Sequence, residues 1–128
     1  IRLSLVGSEM CIRDSRYIDL SEKGISKEMY TPPACRSMDL CRATIEPGGS
    51  TGQELFVTGQ GEQIGVVLKG SLELWVGDRV MLLNEGDSFC YASSTPRRWR
   101  NPGSQTTEVI WAISNITQPA GDDTQQAP

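Results

Sequence analysis

The run Arg97-Arg98-Trp99-Arg100 sets three guanidinium groups around one indole, immediately before Asn101-Pro102-Gly103. On an extended backbone successive side chains point to opposite faces, so Arg97 and Trp99 share one face while Arg98 and Arg100 share the other. An inward guanidinium can clamp a carboxylate with its planar fork of donors. Left unpaired in the interior it costs several kcal/mol, which calls for an internal carboxylate, water, a turn toward solvent, or an anionic ligand. Phe89 and Tyr91 also share a face, with core filling and pocket lining both open to them. The chain contains no histidine. That excludes a Ser-His-Asp triad, a Cys-His pair and any imidazole metal ligand.

These residues belong to a chain of short apolar stretches separated by turns. Strands are expected at 37–45, 54–57, 64–68, 71–76, 79–83, 88–92 and 107–114, between turns such as Pro47-Gly48-Gly49, Gly77-Asp78 and Asn84-Glu85-Gly86-Asp87. Short strands at this spacing, without a long helical period, indicate an all-β barrel or sandwich. Residues 21–35 read as a long connection, because Pro32 and Pro33 make a regular strand unfavourable there. The polar tail, 118–128, is expected to be disordered. With 128 residues and a net charge of −4, one domain is expected, without the clustered basic surface that nucleic-acid binding needs. No apolar run reaches membrane-spanning length. Apart from Cys11, the cysteines are Cys35, Cys41 and Cys90, with no Cys-x-x-Cys spacing, which reads as reduced thiols in a cytoplasmic protein. Cys90, lacking a basic neighbour in sequence, reads as a small buried hydrophobe.

Two segments carry a more specific pattern. GEQIGVVLKGSLELWVG and LNEGDSFCYASSTPRRWRNPG hold Gly70, Gly77, Gly86, Asp87, Pro96, Asn101, Pro102 and Gly103 in order. This resembles the paired motifs of the cupin superfamily over roughly residues 38–115, and the resemblance implies a single double-stranded β-helix, or jelly-roll barrel. In that register Val57 and Gly59 fall on the family's first His-x-His pair, Gln63 on its acid and Arg97 on its second-motif histidine. An isopropyl group, a hydrogen, a neutral amide and a cation do not make the three or four donors a transition metal requires. No metal or other cofactor is therefore expected, a shifted donor set of Glu54, Glu62 and Asp87 being the lesser alternative.

Within the superfamily the chain is most similar to the C-terminal cupin sensor domain of Cro/repressor-type helix-turn-helix regulators, through its Pro-Gly turn, GEQIGVVLKG and RRWRNPG. The resemblance implies a small-molecule effector, expected to be a carboxylate, bound by Gln63, Arg97, Trp99, Tyr91, Phe89, Val57 and Gly59. It also implies homodimerisation, with Trp75 expected on an outer sheet face, and DNA contact only through an upstream domain outside this chain. The opening string LSLVGSEMCIRDS resembles a translated sequencing adapter, so residues 1–15 are expected to be a non-native leader and 16–117 the domain. The reading from another class is a stand-alone metal-independent isomerase, cyclase or lyase, with Arg97 as anion clamp and Tyr91 or a glutamate as acid or base.

Overall fold

The computed structural model describes residues 16–20 and 23–114; the leader and tail expected at 1–15 and 118–128 lie outside the described residues. Nine strands follow one another: β1 (Arg16–Leu20), β2 (Ile25–Met29), β3 (Met38–Ile45), β4 (Glu62–Lys69), β5 (Ser71–Val76), β6 (Arg79–Asn84), β7 (Ser88–Ala92), β8 (Arg97–Arg100) and β9 (Thr107–Ser114). They form a six-stranded sheet in the order β1-β2-β3-β9-β4-β7 and a three-stranded sheet in the order β6-β5-β8. Every pairing is antiparallel. The two sheets make an all-β jelly roll, in keeping with the all-β class read from the strand and turn spacing and with the barrel that the cupin resemblance implies. No helix among the described residues is long and apolar enough to cross a membrane.

The period-two alternation of each strand decides which side chains meet between the sheets. In the large sheet, Lys27, Ala43, Val109 and Val67 form one inward row, and Met29, Cys41, Trp111, Gly65 and Phe89 form the next. A third row carries Ile113, Gln63 and Tyr91. In the small sheet, Leu74 pairs with Met81 on one side and Trp99 on the other, while Val76 pairs with Arg79 and Arg97. Leu72, Leu74, Val67, Val109, Ala43 and Ile45 are fully buried, and each large aliphatic side chain among them contributes about 1.5–3 kcal/mol of transfer free energy. The opposite parity faces outward: Trp75 lies on the outer face of β5 with Arg98 stacked 4.0 Å from its ring, the side on which the sequence sets it.

The motif residues are structural clamps. Asn101 is buried and donates from Nδ2 to the carbonyls of Ile45 and Gln105, both at 2.8 Å, while its Oδ1 accepts from the Gly103 amide at 2.9 Å. It thereby fixes the turn that leads into β9. Asp87 Oδ2 accepts from the Asn84 amide at 2.8 Å, closing the β6–β7 turn. Gly77 opens the two-residue turn between β5 and β6 at φ +63°, a left-handed conformation that glycine adopts without steric cost.

Three sequence expectations need correction. Residues 54–57 form no strand; Phe56 alone bridges to Arg97, because this segment has no continuous partner to complete a ladder. β2 occupies part of the expected connection: the prolines do stand outside a strand, but the five residues Ile25–Met29 pair with both β1 and β3 before the chain reaches them. Its alternation is hard to see because a lysine holds the central inward position. Cys90 is exposed, not buried, since Phe89 and Tyr91 take the inward parity of β7 and leave position 90 facing out.

Candidate functional site

A cavity of about 210 Å³ opens between the two sheets. β4 and β7 bring Gln63 and Tyr91 to it, β8 brings Arg97 and Trp99, β2 brings Lys27, and the segment before β4 supplies Phe56 and Thr58. Trp111 and Ile113 of β9 form part of its apolar wall.

A continuous hydrogen-bonded chain runs along one side. Trp99 Nε1 donates to the Tyr91 hydroxyl at 3.2 Å, and that hydroxyl donates to Gln63 Oε1 at 3.1 Å. Gln63 Nε2 donates to Thr58 Oγ1 and Ser93 Oγ, each at 3.3 Å. Arg97 Nη2 reaches the same Thr58 hydroxyl at 2.8 Å, while Nη1 donates to the Ser93 carbonyl at 2.8 Å and the Thr95 carbonyl at 3.4 Å. The guanidinium lies 4.7 Å from the Phe56 ring and 4.9 Å from that of Tyr91. Burial raises the pKa of the Tyr91 phenol, against the opposing pull of the Arg97 charge and the Trp99 N–H. Tyr91 is thus a neutral hydroxyl near pH 7, a hydrogen-bonding group and not a phenolate base.

Arg97 is only 2% exposed, yet among the described residues no carboxylate pairs with it. The ion pairs there, Arg42–Glu108 and Arg100–Glu73, lie on outer sheet faces. Carbonyl and hydroxyl oxygens with two aromatic faces carry the compensation inside the protein, and Arg97 Nε remains buried without a partner. No described Asp or Glu lines the cavity.

Of the seven residues singled out from the sequence, Gln63, Tyr91, Arg97 and Trp99 come together at the cavity. Phe89 is buried but does not line it; its ring stacks on Tyr91 at 5.7 Å and meets Trp99 edge-on at 5.7 Å, supporting the wall from behind. Val57 is 55% exposed, and it and Gly59 face away from the cavity. The correction is one of parity. Phe56 N and O both bond Arg97 and Thr58 N bonds the Ser93 carbonyl, which turns Phe56 and Thr58 inward and the intervening residue out. Sequence reasoning missed Lys27, Thr58 and Ser93. Ser93 continues the Phe89–Tyr91 parity and could have been found that way; Lys27 lay within a segment read as a connection. The Lys27 ammonium sits 5.7 Å from the Trp111 ring centre. Its pKa is lowered, first by burial and then by the charges of Lys23 and Arg97, with Cys41 opposing.

The cupin motifs that the sequence resembles imply metal ligands at these barrel positions, and the side chains at hand do not fit a metal. Phe56, Thr58, Gln63 and Arg97 offer a ring, a hydroxyl already engaged, an amide and a cation. Among the described residues no group of three or more His, Cys, Asp or Glu is placed to hold a metal ion.

Comparison with known proteins gives a consistent result. The Cupin_2 family, described as "Cupin domain", matches residues 41–113. The HTH-type transcriptional regulator PuuR of Escherichia coli K12 is 26% identical over 110 residues, 85% of this chain and 58% of PuuR; the chain thus spans less than two thirds of that relative's length. Among solved structures, the Cupin_2 domain of an XRE family transcriptional regulator from Enterobacter cloacae superposes with a TM-score of 0.65 at 19% identity, covering 73% of this chain and 99% of that one. A cupin-superfamily sugar phosphate isomerase from Silicibacter pomeroyi gives a TM-score of 0.62 at 14% identity, over 73% of this chain and 60% of that one.

Proposed function

The chain belongs to the cupin domain family, and on that premise we propose that its cavity binds a small carboxylate effector, in the sensing and dimerising part of a transcription regulator. The observation that carries this reading is Arg97: a buried guanidinium with no acidic partner among the described residues and an unpartnered Nε, standing in the wall of a cavity. A carboxylate entering there would supply the counter-charge that the described residues do not, and bidentate geometry would make Arg better suited to it than Lys. Gln63 and Tyr91 would orient it through directional hydrogen bonds, and Trp99 and Trp111 would cover its apolar part.

Similarity to PuuR and to a regulator's cupin domain supports a regulatory context. DNA would then be contacted through a part outside this chain, whose own net charge of −4 suits no phosphate backbone. The protein would work in the cytoplasm as a homodimer; Trp75, Val80 and Leu82 offer apolar surface on the outer face of the small sheet, the last two 54% and 58% exposed.

The reading as an isomerase, cyclase or lyase is less well served, because the cavity offers a neutral phenol and two cations but no described carboxylate to exchange a proton.

The test is thermal unfolding with millimolar butyrate, benzoate or diaminobutane. A ligand that binds only the folded state raises stability by RT ln(1 + [L]/Kd), about 2.7 kcal/mol at a hundredfold excess over Kd. Carboxylates should raise Tm and the diamine should not. A shift with the diamine alone would overturn the proposal.

A further inference from the structure

The proposed carboxylate site contains a second cation that Arg97 does not need. Lys27 reaches the same cavity from β2 of the large sheet, whereas Arg97 enters from β8 of the small one. Its ammonium lies 5.7 Å from the centre of the Trp111 ring. Lys27 has no ion pair among the described residues, whose salt bridges are both elsewhere. Two positive groups thus face one cavity from opposite sheets, with no described carboxylate lining it to balance either. Like charges held in a partly desolvated space repel and are costly to keep; burial is the main influence disfavouring the protonated lysine, with Cys41 opposing it and Lys23 and then Arg97 adding to it. A monoanion would leave one of them uncompensated.

We propose that the cavity is built for a short dianion, a dicarboxylate with one carboxylate on Arg97 and the other on Lys27. This rests on the carboxylate reading above and narrows it. The size agrees: about 210 Å³ falls below the span of roughly 300–1,000 Å³ usual for drug-sized ligands, which suits a chain of a few carbons. Trp99 and Trp111, in edge-to-face contact at 5.0 Å between ring centres, supply the apolar surface for the methylenes between the two charges.

The experiment is calorimetric titration of the full chain with matched acids: butyrate against succinate, then malonate, glutarate and adipate to find the preferred length. Wild type should bind succinate or one of its homologues at least about tenfold more tightly than butyrate, a modest return for a second charge contact in a partly desolvated site. Lys27→Met, which keeps the apolar stem, should bring that ratio close to one, and Arg97→Met should weaken both acids. Lys27→Gln serves as the second variant if the methionine form does not fold, and the wild-type ratio needs no variant at all. If both acids bind, both depend on Arg97 and no dicarboxylate is preferred, the dianion proposal falls while the carboxylate reading stands. If no carboxylate binds, both fall. A dicarboxylate preference that survives both Lys27 variants would also overturn the proposal.

Discussion

Gln63 and Tyr91 face each other as register partners across β4 and β7, and the Tyr91 hydroxyl donates to Gln63 Oε1 at 3.1 Å. The pairing joins the backbone ladder to the cavity wall. Because the same hydroxyl accepts from Trp99 Nε1 at 3.2 Å, it also ties the large sheet to the small one. The phenol therefore links the two halves between which a ligand would sit, and it holds the Gln63 amide in one orientation, with its oxygen toward Tyr91 and its nitrogen toward Thr58 and Ser93.

Tyr91→Phe keeps the ring and removes that junction. Gln63 Oε1 and Trp99 Nε1 then lose their partner in a buried setting, where an unmade hydrogen bond costs about 1–3 kcal/mol. Urea unfolding should show a loss in that range with little change in the m-value. A loss below about 0.5 kcal/mol, the scale of ordinary surface changes, would mean that water replaces the hydroxyl and that the junction is not tight.

Gly65 stands in one row between Phe89 and Trp111. A β-carbon there would come within 2.6 Å of both Phe89 Cζ and Trp111 Cβ. The Phe89 ring end can yield, but the Trp111 Cβ is fixed to a central strand. Gly65→Ala should therefore destabilise the fold by about 1–3 kcal/mol through overpacking, and should disturb the near-ultraviolet signal of the Trp111 indole in the cavity wall. An unchanged Tm and spectrum would show that β9 moves more freely than its pairing on both edges implies.

The contrast between these positions shows what the sequence could reveal. Asn101, Asp87 and the turn glycines are fixed by backbone chemistry: particular φ values and particular amides to cap, which only certain residue types satisfy. Their order carries the cupin resemblance that implies the jelly roll, and the RRWR alternation puts Arg97 and Trp99 on one face. Lys27 was hidden for the opposite reason. An inward lysine breaks the apolar alternation that marks a strand, so β2 read as a connection and its most informative side chain went unnoticed. The cupin register sets Val57 and Gly59 at the site only if parity is unbroken through residues 54–61. The backbone there is irregular, with Gly59 and Gly61 at φ +128° and +104°, and the parity shifts by one, bringing Phe56 and Thr58 inward. Local chemistry is legible where one residue type is required; parity across an irregular segment depends on pairing that only the folded chain supplies.

Arg97→Met tests whether the buried cation serves stability or binding. The methionine removes the cost of burying an unpaired guanidinium and leaves no described carboxylate unpaired, while the Ser93 and Thr58 oxygens that Arg97 contacts keep a second donor in Thr58 N and Gln63 Nε2. The variant should unfold no earlier than wild type. Carboxylate affinity should fall by about 2–5 kcal/mol, the usual consequence of breaking a desolvated charge pair. If stability drops sharply instead, Arg97 is chiefly a structural tie between Thr58, Ser93 and the two rings, and its role as an anion clamp loses its support.

Lys27 makes the pH dependence of stability a direct probe of the cavity. Its pKa in the folded protein is lowered from the ordinary 10.5, chiefly by burial, with Cys41 opposing and Lys23 and Arg97 adding to the lowering. Below the lowered value both folded and unfolded chains hold the proton, and the folded state bears the full cost of the buried charge. Between that value and 10.5 the unfolded chain holds more protons, so stability rises with pH through this window. Tyr91 acts in the other direction at higher pH, because burial raises its pKa and the folded chain keeps a proton that the unfolded chain releases. It is present in both wild type and Lys27→Met, so their difference isolates the lysine. Wild type should therefore gain stability relative to Lys27→Met as pH climbs toward 10.5. Saturation with a dicarboxylate should suppress that gain, since an anion beside the ammonium favours its charged form. A difference that stays flat with pH in the free protein would show that the Lys27 ammonium is solvated outside the cavity; one that is unchanged by a bound dicarboxylate would show that the second carboxylate lies elsewhere.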